Sequence, residues 1–155
     1  MFKTSRFVLW MIVLSFLETS WVQACTSMVL AGTDGGRVYG RTMEFGIPLK
    51  SAILKTPRGY AFQGVGIDGV AGSGKNWISK YATVGANAFG LPIYVDGMNE
   101  AGLAGGLLNA PNTAQYQNPS KEQSANSIAS QQLLIYVLTN FATIDEVKDA
   151  LSKIY

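Results

Sequence analysis

Short runs that mix hydrophobic and polar residues fill the chain between residues 25 and 108, and they predict several β-strands. Two runs, residues 25–31 and 37–45, flank a glycine-rich turn, which is the pattern of a β-hairpin. The turn Pro57-Arg58-Gly59 predicts that a strand at 52–56 is followed by a returning strand at 60–63. Three further strands are predicted at 81–86, 91–95 and 102–108, with turn residues at Asp96-Gly97 and at 99–102.

The pattern changes to helical spacing near the end of the chain. Residues 110–126 are polar and contain two prolines, which predicts a long surface loop. Apolar residues then recur on one face from residue 128 to about 140, typical of an amphipathic helix. Thr143 followed by Glu146 is a capping box for a second helix, predicted over 147–155 with no stop signal before the last residue.

The first 24 residues differ from the rest in their order of charge and hydrophobicity. Lys3 and Arg6 precede an apolar run over 7–17, and a more polar stretch ends at Ala24. This order is that of a cleaved secretory signal peptide, and Glu18 ends the apolar run before it could span a membrane. The sequence therefore predicts a signal peptide at 1–24, rather than a retained anchor, followed by one domain at 25–155.

Composition restricts the chemistry of this domain. The chain has 48% hydrophobic and 14% charged residues, which is globular, and its net charge of +2 gives no electrostatic argument for binding nucleic acid. It contains no histidine, which excludes a Ser-His-Asp triad, a Cys-His pair and any histidine-ligated metal within the chain. Its single cysteine cannot form an internal disulfide, so an exported protein would carry a free thiol.

A glycine-rich stretch at 64–76 invites a nucleotide-binding interpretation. It contains G-x-G-x-x-G, and residues 69–75 match the start of a P-loop, but Asn76 stands where Ser or Thr would hold magnesium. No strong strand precedes it and no amphipathic helix is predicted after it. A flexible loop is the favoured interpretation, and nucleotide binding involving Lys75 is a weaker hypothesis.

Cys25, directly after the predicted cleavage site, is the main candidate for chemistry. If Cys25 becomes the first residue, its own α-amine, which titrates near neutral pH, can accept the thiol proton and replace the missing histidine. Arg41 would favour the thiolate if it faced Cys25 across the hairpin. Two alternatives stay open: Val22-Gln23-Ala24-Cys25 partly suits a lipidated lipoprotein cysteine, and Cys25 could be a buried residue without a chemical role.

Four blocks of sequence resemble the choloylglycine hydrolases, which include bile salt hydrolases and penicillin V acylases. The blocks are "CTSMVL", "YGRTMEFG", "VDGMNEAGLAGGLLNAP" and "LLIYVLTNFATIDEVKDAL". The resemblance implies an α+β fold, the αββα sandwich of N-terminal-nucleophile hydrolases, and cleavage of linear carbon–nitrogen amide bonds without a cofactor. It also implies that Cys25 is the nucleophile, that Arg41 lies beside it, that Glu44 contacts the α-amine, and that Asn109 contributes to the oxyanion site.

Each of these assignments has a structural alternative. Arg41 could be an exposed strand cation, and Asn109 could be a turn residue before Ala110-Pro111. Glu44 is longer than the family's usual aspartate, and strand alternation would put it on the opposite face from Arg41 unless the strand ends or bulges between them.

The resemblance also sets expectations for the whole protein. The expected partner is a small N-acyl amide, such as a conjugated bile salt, penicillin V or an acyl-homoserine lactone, and family analogy suggests a homotetramer. We expect an exported bacterial protein, periplasmic or secreted, with no membrane span after signal cleavage. The resemblance covers only the family's N-terminal part, so a sandwich with one uncovered face is expected. We therefore expect the 155-residue product alone to be inactive or unstable.

Overall fold

A computed structural model describes residues 25–110 and 113–155, so the predicted signal peptide and residues 111–112 lie outside the described part. Two 3₁₀ segments occur at Lys121–Asn126 and Ser130–Gln132. The other described elements, in chain order, are β1 (Ser27–Ala31), β2 (Arg37–Arg41), β3 (Ile53–Thr56), β4 (Ala61–Phe62), β5 (Trp77–Ile78), β6 (Thr83–Ala86), β7 (Asp96–Asn99), β8 (Ala104–Gly106), α1 (Leu133–Asn140) and α2 (Ile144–Leu151).

The predicted hairpin is confirmed. β1 and β2 pair antiparallel, from Ser27 opposite Arg41 to Ala31 opposite Arg37. The turn is closed by the Gly32 amide, which donates to the Gly36 carbonyl at 2.7 Å. A left-handed glycine inside this turn allows the tight reversal that the Gly-rich sequence predicted.

The pairing of the next strands differs from the prediction. β3 pairs with β6 in an antiparallel four-stranded sheet of order β3-β6-β7-β8, whereas β4 pairs with β5, which the sequence did not predict. The β4–β5 pair stacks Phe62 on Trp77, with ring centroids 4.9 Å apart. The predicted turn at 57–59 would pair β4 with β3. Burial of the two rings stabilises the β4–β5 pairing more than this short turn would stabilise a β3–β4 hairpin.

The predicted strand at 91–95 is wrong, and so is the predicted turn at Asp96-Gly97. Tyr94 is fully buried in an irregular segment, and its hydroxyl bonds to the hydroxyls of Thr56 (2.8 Å) and Thr83 (2.9 Å). The chain becomes β7 only at Asp96. A Cβ at Gly97 would lie 3.3 Å from a methyl of Leu138, so this glycine permits close packing of α1 on the sheet and does not form a turn.

The predicted turn at 99–102 is confirmed, and Asn99 anchors it to α1. The Asn99 side-chain amide donates to the carbonyls of Leu138 (2.8 Å) and Phe141 (2.7 Å). Its oxygen accepts from the backbone amides of Ala101 and Leu103, both at 3.0 Å. Asn99 is buried with both ends of its side chain satisfied, so it fixes the β7–β8 connection against the end of the helix.

A charged pair holds the same connection from outside. Glu100 accepts from Arg58 Nε at 2.5 Å and from the Ala82 amide at 2.7 Å. The hydrogen bond from Arg58 holds the pKa of Glu100 below its usual range. The pair is exposed and screened by water, so it orients the loop more than it stabilises the fold.

One face of the four-stranded sheet is covered by α1 and forms the core. Gly97 and Gly105 on neighbouring strands lie beneath Leu138 and Leu134, and each would place a Cβ 3.3 Å from the leucine above it. The opposite face receives Tyr39 and Arg41 of β2 at Gly106, and the rest of it, here termed the uncovered face, exposes Ile53 and Met98. The core consists of Trp77, Tyr94, Leu103, Leu134, Ile135, Tyr136, Leu138 and Ile154.

The first helix ends at Asn140, as predicted, but it begins later than predicted, and both ends of the second helix differ from the prediction. α1 begins at Leu133, because residues 130–132 form a 3₁₀ turn instead of the first helical turn. α2 ends at Leu151, so the prediction that it runs to residue 155 is wrong. After α2 the chain folds back on the segment before α1, where the Ile128 amide donates to the Tyr155 carbonyl at 2.8 Å. Ile154, the residue before Tyr155, is buried in the core.

The glycine-rich segment at 64–76 is a loop, as the favoured interpretation predicted. It contains one isolated bridge, between Val65 and Ala71, and β5 follows it directly. A P-loop needs a helix at that point to present its amides to phosphate. The segment therefore lacks the helix that a P-loop requires, and the hypothesis of nucleotide binding involving Lys75 is wrong.

The capping box of α2 gives a stability prediction. Thr143 Oγ1 accepts from the Glu146 amide at 3.3 Å, and the Glu146 carboxylate accepts from the Thr143 amide at 3.3 Å. Thr143→Ala is expected to lower the free energy of unfolding by about 1 kcal/mol, because it leaves an amide of the first helical turn without a partner. Urea denaturation measures the effect. Thr143→Ser should retain most of the stability that the cap contributes. Thr33→Ala, in the exposed hairpin turn, should change the free energy of unfolding little.

Candidate active site

The hairpin register brings Arg41 opposite Ser27, two residues after Cys25. Arg41 is the last residue of β2 and lies opposite Ser27. Pairing continues one step further, since the Thr42 amide donates to the Thr26 carbonyl at 2.9 Å. Strand alternation, if it continues from β1 to Cys25, predicts that Cys25 shares a face with Ser27 and lies diagonally across from Arg41. Cys25 is half-buried and its thiol is free.

The Arg41 guanidinium is fixed by backbone carbonyls from outside the hairpin. Nη1 donates to the carbonyls of Val95 and Leu107, both at 2.7 Å, and Nε donates to the carbonyl of Thr42 at 3.2 Å. The side chain is half-buried, so the alternative that Arg41 is an exposed strand cation is wrong. These contacts dock the hairpin on the end of the four-stranded sheet and hold the guanidinium in one position.

A second polar side chain, which sequence reasoning missed, lies beside Arg41. Tyr39 precedes Arg41 by two residues on β2 and shares its face. A Cβ at Gly106 would overlap the Tyr39 hydroxyl and lie 3.4 Å from Arg41 Nη1, so both groups converge on this glycine. In the described part of the chain, Tyr39 Oη and Arg41 Nη2 are the buried side-chain atoms that lack a hydrogen-bond partner. The sequence signal for Tyr39 was its position two residues before Arg41, a spacing that puts both side chains on one face of a strand.

Glu44 and Asn109 are not held against Arg41 by any described hydrogen bond. β2 ends at Arg41, three residues before Glu44, so strand alternation no longer dictates which way Glu44 faces. Glu44 is exposed and forms no ion pair within residues 25–110 and 113–155. Asn109 is also exposed, two residues after Leu107, whose carbonyl accepts from Arg41. Their assigned roles stay predictions.

An open cavity of about 680 Å³ adjoins the hairpin on the uncovered face of the sheet. Tyr39 and Arg41 form part of its wall, and aliphatic side chains line much of the remainder, including Val29, Val84 and Met98. A cavity with a mostly apolar wall and a few fixed polar groups suits a small ligand with an apolar body and a polar end.

Two further properties concern only the described residues. No group of three or more histidine, cysteine, aspartate and glutamate side chains able to hold a metal ion occurs within 25–110 and 113–155. Across the same two stretches, the helices are too short and too polar to cross a membrane.

Comparison with known proteins identifies the family of the chain. Residues 25–155 match the family model described as "Linear amide C-N hydrolases, choloylglycine hydrolase family". The chain therefore belongs to the choloylglycine hydrolase family, and the resemblance predicted from its four sequence blocks is confirmed.

Individual relatives agree with this assignment. The chain is 32% identical over 129 residues to a bile salt hydrolase/transferase from Clostridium perfringens (strain 13 / Type A), covering 82% of this chain and 37% of the relative. It is 38% identical over 82 residues to a penicillin V acylase from Pectobacterium atrosepticum, covering 50% of this chain and 21% of that protein.

A solved structure confirms the fold class. The crystal structure of a mutant conjugated bile acid hydrolase from Clostridium perfringens superposes with a TM-score of 0.66 at 31% identity, covering 84% of this chain and 38% of that one. The predicted α+β fold is therefore confirmed as a partial version of the fold of that hydrolase. The chain spans less than two fifths of the length of these relatives.

Proposed function

We propose that this chain provides the nucleophile half of a linear amide hydrolase, with Cys25 attacking the carbonyl of an N-acyl substrate. The observation that supports the proposal is the hairpin register, which pairs Ser27, two residues after Cys25, with Arg41, whose guanidinium is held by two backbone carbonyls. Membership of the choloylglycine hydrolase family supports the reaction class. The missing histidine supports an internal base supplied by the α-amine of Cys25.

The proposed reaction has two steps. The α-amine of Cys25 takes the thiol proton as Sγ attacks the carbonyl carbon, and the same amine then protonates the leaving nitrogen as the carbon–nitrogen bond breaks. The acyl group remains on Sγ as a thioester. A water molecule, deprotonated by the amine, then attacks the thioester and releases the carboxylic acid and the free thiol.

Three other residues are assigned supporting roles in the proposal. Arg41 favours the thiolate and the negative oxygen of the tetrahedral intermediate, because its Nη2 group is not committed to the fold. Asn109 is assigned to the oxyanion site, and Glu44 to holding the charged α-amine, by resemblance to the family. Neither assignment needs a cofactor.

The proposed substrate class is N-acyl amides. Conjugated bile salts, penicillin V and acyl-homoserine lactones all present an acyl amide, and the names of the bile salt hydrolase and penicillin V acylase relatives support this class. We also propose that the protein is exported to the periplasm or the medium and that it forms a homotetramer.

A different function follows if Cys25 is lipidated. The residues Val22-Gln23-Ala24 before Cys25 favour this candidate, in which the chain is a lipid-anchored binding protein without catalysis. Acylation of the α-amine would remove the proposed base, so the two functions exclude each other.

Intact mass and N-terminal sequencing after expression in a secreting host separate the two candidates. We expect the mass of residues 25–155 and a free α-amine on Cys25, because residues 22–24 suit a signal peptidase. A mass increased by a diacylglyceryl group, or a blocked amine, would contradict the hydrolase proposal. Cys25→Ser serves as the control, because it cannot carry a thioether-linked lipid and should then lose any such added mass.

A further inference from the structure

The two unpartnered polar atoms on β2 call for a physical explanation. Buried polar groups are nearly always hydrogen-bonded, and an unmade hydrogen bond is costly. Tyr39 Oη and Arg41 Nη2 are both buried without a partner in the described residues, although they sit two residues apart on the same strand face. Such a pair in one place is typical of a site that a ligand completes.

The two groups have complementary chemistry. A guanidinium nitrogen only donates, and a phenol hydroxyl can donate, so one oxygen acceptor could satisfy both. The other nitrogen of the same guanidinium is already used by Val95 and Leu107, which leaves Nη2 free to point elsewhere. Tyr39 and Arg41 also belong to the wall of the same cavity, which adjoins the hairpin.

We propose that Tyr39 is a substrate-binding residue, whose hydroxyl donates together with Arg41 Nη2 to one oxygen of an N-acyl amide ligand. The inference rests on the proposed function and adds a specificity residue to it. Both atoms are shielded from water in the free chain, so binding includes small side-chain movements of the kind common at interfaces. The resulting hydrogen bonds form away from water, where they are strong.

The test compares Tyr39→Phe with its parent in a Cys25→Ala background, using the full chain. The Cys25 substitution prevents consumption of the probe, N-octanoylglycine, so calorimetry reports binding alone. We expect about fivefold weaker binding for the Tyr39→Phe variant, the effect of losing one hydrogen bond to a ligand. The thermal midpoint should be unchanged or higher, because the variant removes a buried hydroxyl that has no partner in the free chain.

Tyr60→Phe is the matched control. Tyr60 is exposed, and its hydroxyl takes part in no described hydrogen bond, so affinity and midpoint should both stay at the parental values.

Three results would overturn the proposal. Equal affinity in parent and Tyr39→Phe would mean that the hydroxyl does not touch the ligand. A lowered midpoint would mean that the hydroxyl supports the fold instead. Absence of probe binding by the parent would mean that these donors do not serve N-acyl amides. A parent that binds the probe while the Cys25 protein forms no acyl-enzyme would leave this inference standing and overturn only the proposed hydrolysis.

Discussion

Cys25→Ala is expected to abolish acyl transfer by this chain, lowering the rate at least about 10⁴-fold. Loss of a catalytic nucleophile costs this much or more, because the remaining groups can polarise the carbonyl but cannot form the covalent intermediate. Cys25 is the chain's single cysteine, so no neighbouring thiol can take over its role. The fold should persist, since Cys25 lies outside the core and only half-buried.

Intact-mass detection of the thioester is the sharpest readout for this variant. It requires only the first chemical step, which needs the nucleophile and its base and no complete turnover. The chain with Cys25 should gain the mass of the acyl group from an activated N-acyl substrate, and Cys25→Ala should not. Ser27→Ala, on the same strand face, is the matched control and should be acylated normally. Equal labelling with and without Cys25, or no labelling of either, would contradict the proposed mechanism.

The hairpin shows which features a sequence can predict well. Its strands, its glycine-rich turn and the pairing that puts Arg41 opposite Ser27 depend on local alternation and on short-range turn chemistry. The proposed roles of Cys25 and Arg41 come from the resemblance to the family, and the absence of histidine supports the terminal amine as the proposed base. These signals are contained within about twenty residues and need no knowledge of distant packing.

The failed predictions share a dependence on distant contacts. Asp96-Gly97 looks like a turn until α1 is known to pack on the glycine, and strand 52–56 looks like half of a hairpin until Phe62 is seen against Trp77. The buried hydroxyl of Tyr39 depends on the docking of the hairpin against β8. In each case tertiary packing overrides the local preference, and the periodicity of hydrophobic residues along the chain does not reveal that packing.

The uncovered face of the sheet connects the fold with the proposed site. Ile53 and Met98 are exposed there, and the cavity beside Arg41 opens on the same side. The chain covers less than two fifths of its relatives' length. An apolar sheet face that stays exposed lacks the burial that would stabilise it and promotes association.

Arg41→Lys is expected to slow acylation of Cys25 by about 10²- to 10³-fold and to lower the free energy of unfolding by about 1–3 kcal/mol. A lysine keeps the charge but has one side-chain nitrogen, so it cannot make both the Nη1 bonds to Val95 and Leu107 and the Nε bond to Thr42. The ammonium would also move away from the position that Nη2 now holds.

Arg37→Lys provides the matched comparison, because Arg37 lies on the same strand and face but is exposed. Acylation rates measured by quenched-flow mass spectrometry, together with urea denaturation, should separate the two variants. If both behave like the wild type, the guanidinium does not organise the site. If Arg41→Lys unfolds more easily but acylates Cys25 normally, Arg41 only docks the hairpin. Reduced stability combined with slow acylation would mean that one side chain joins the two sheets and orients the reaction, as the proposal requires.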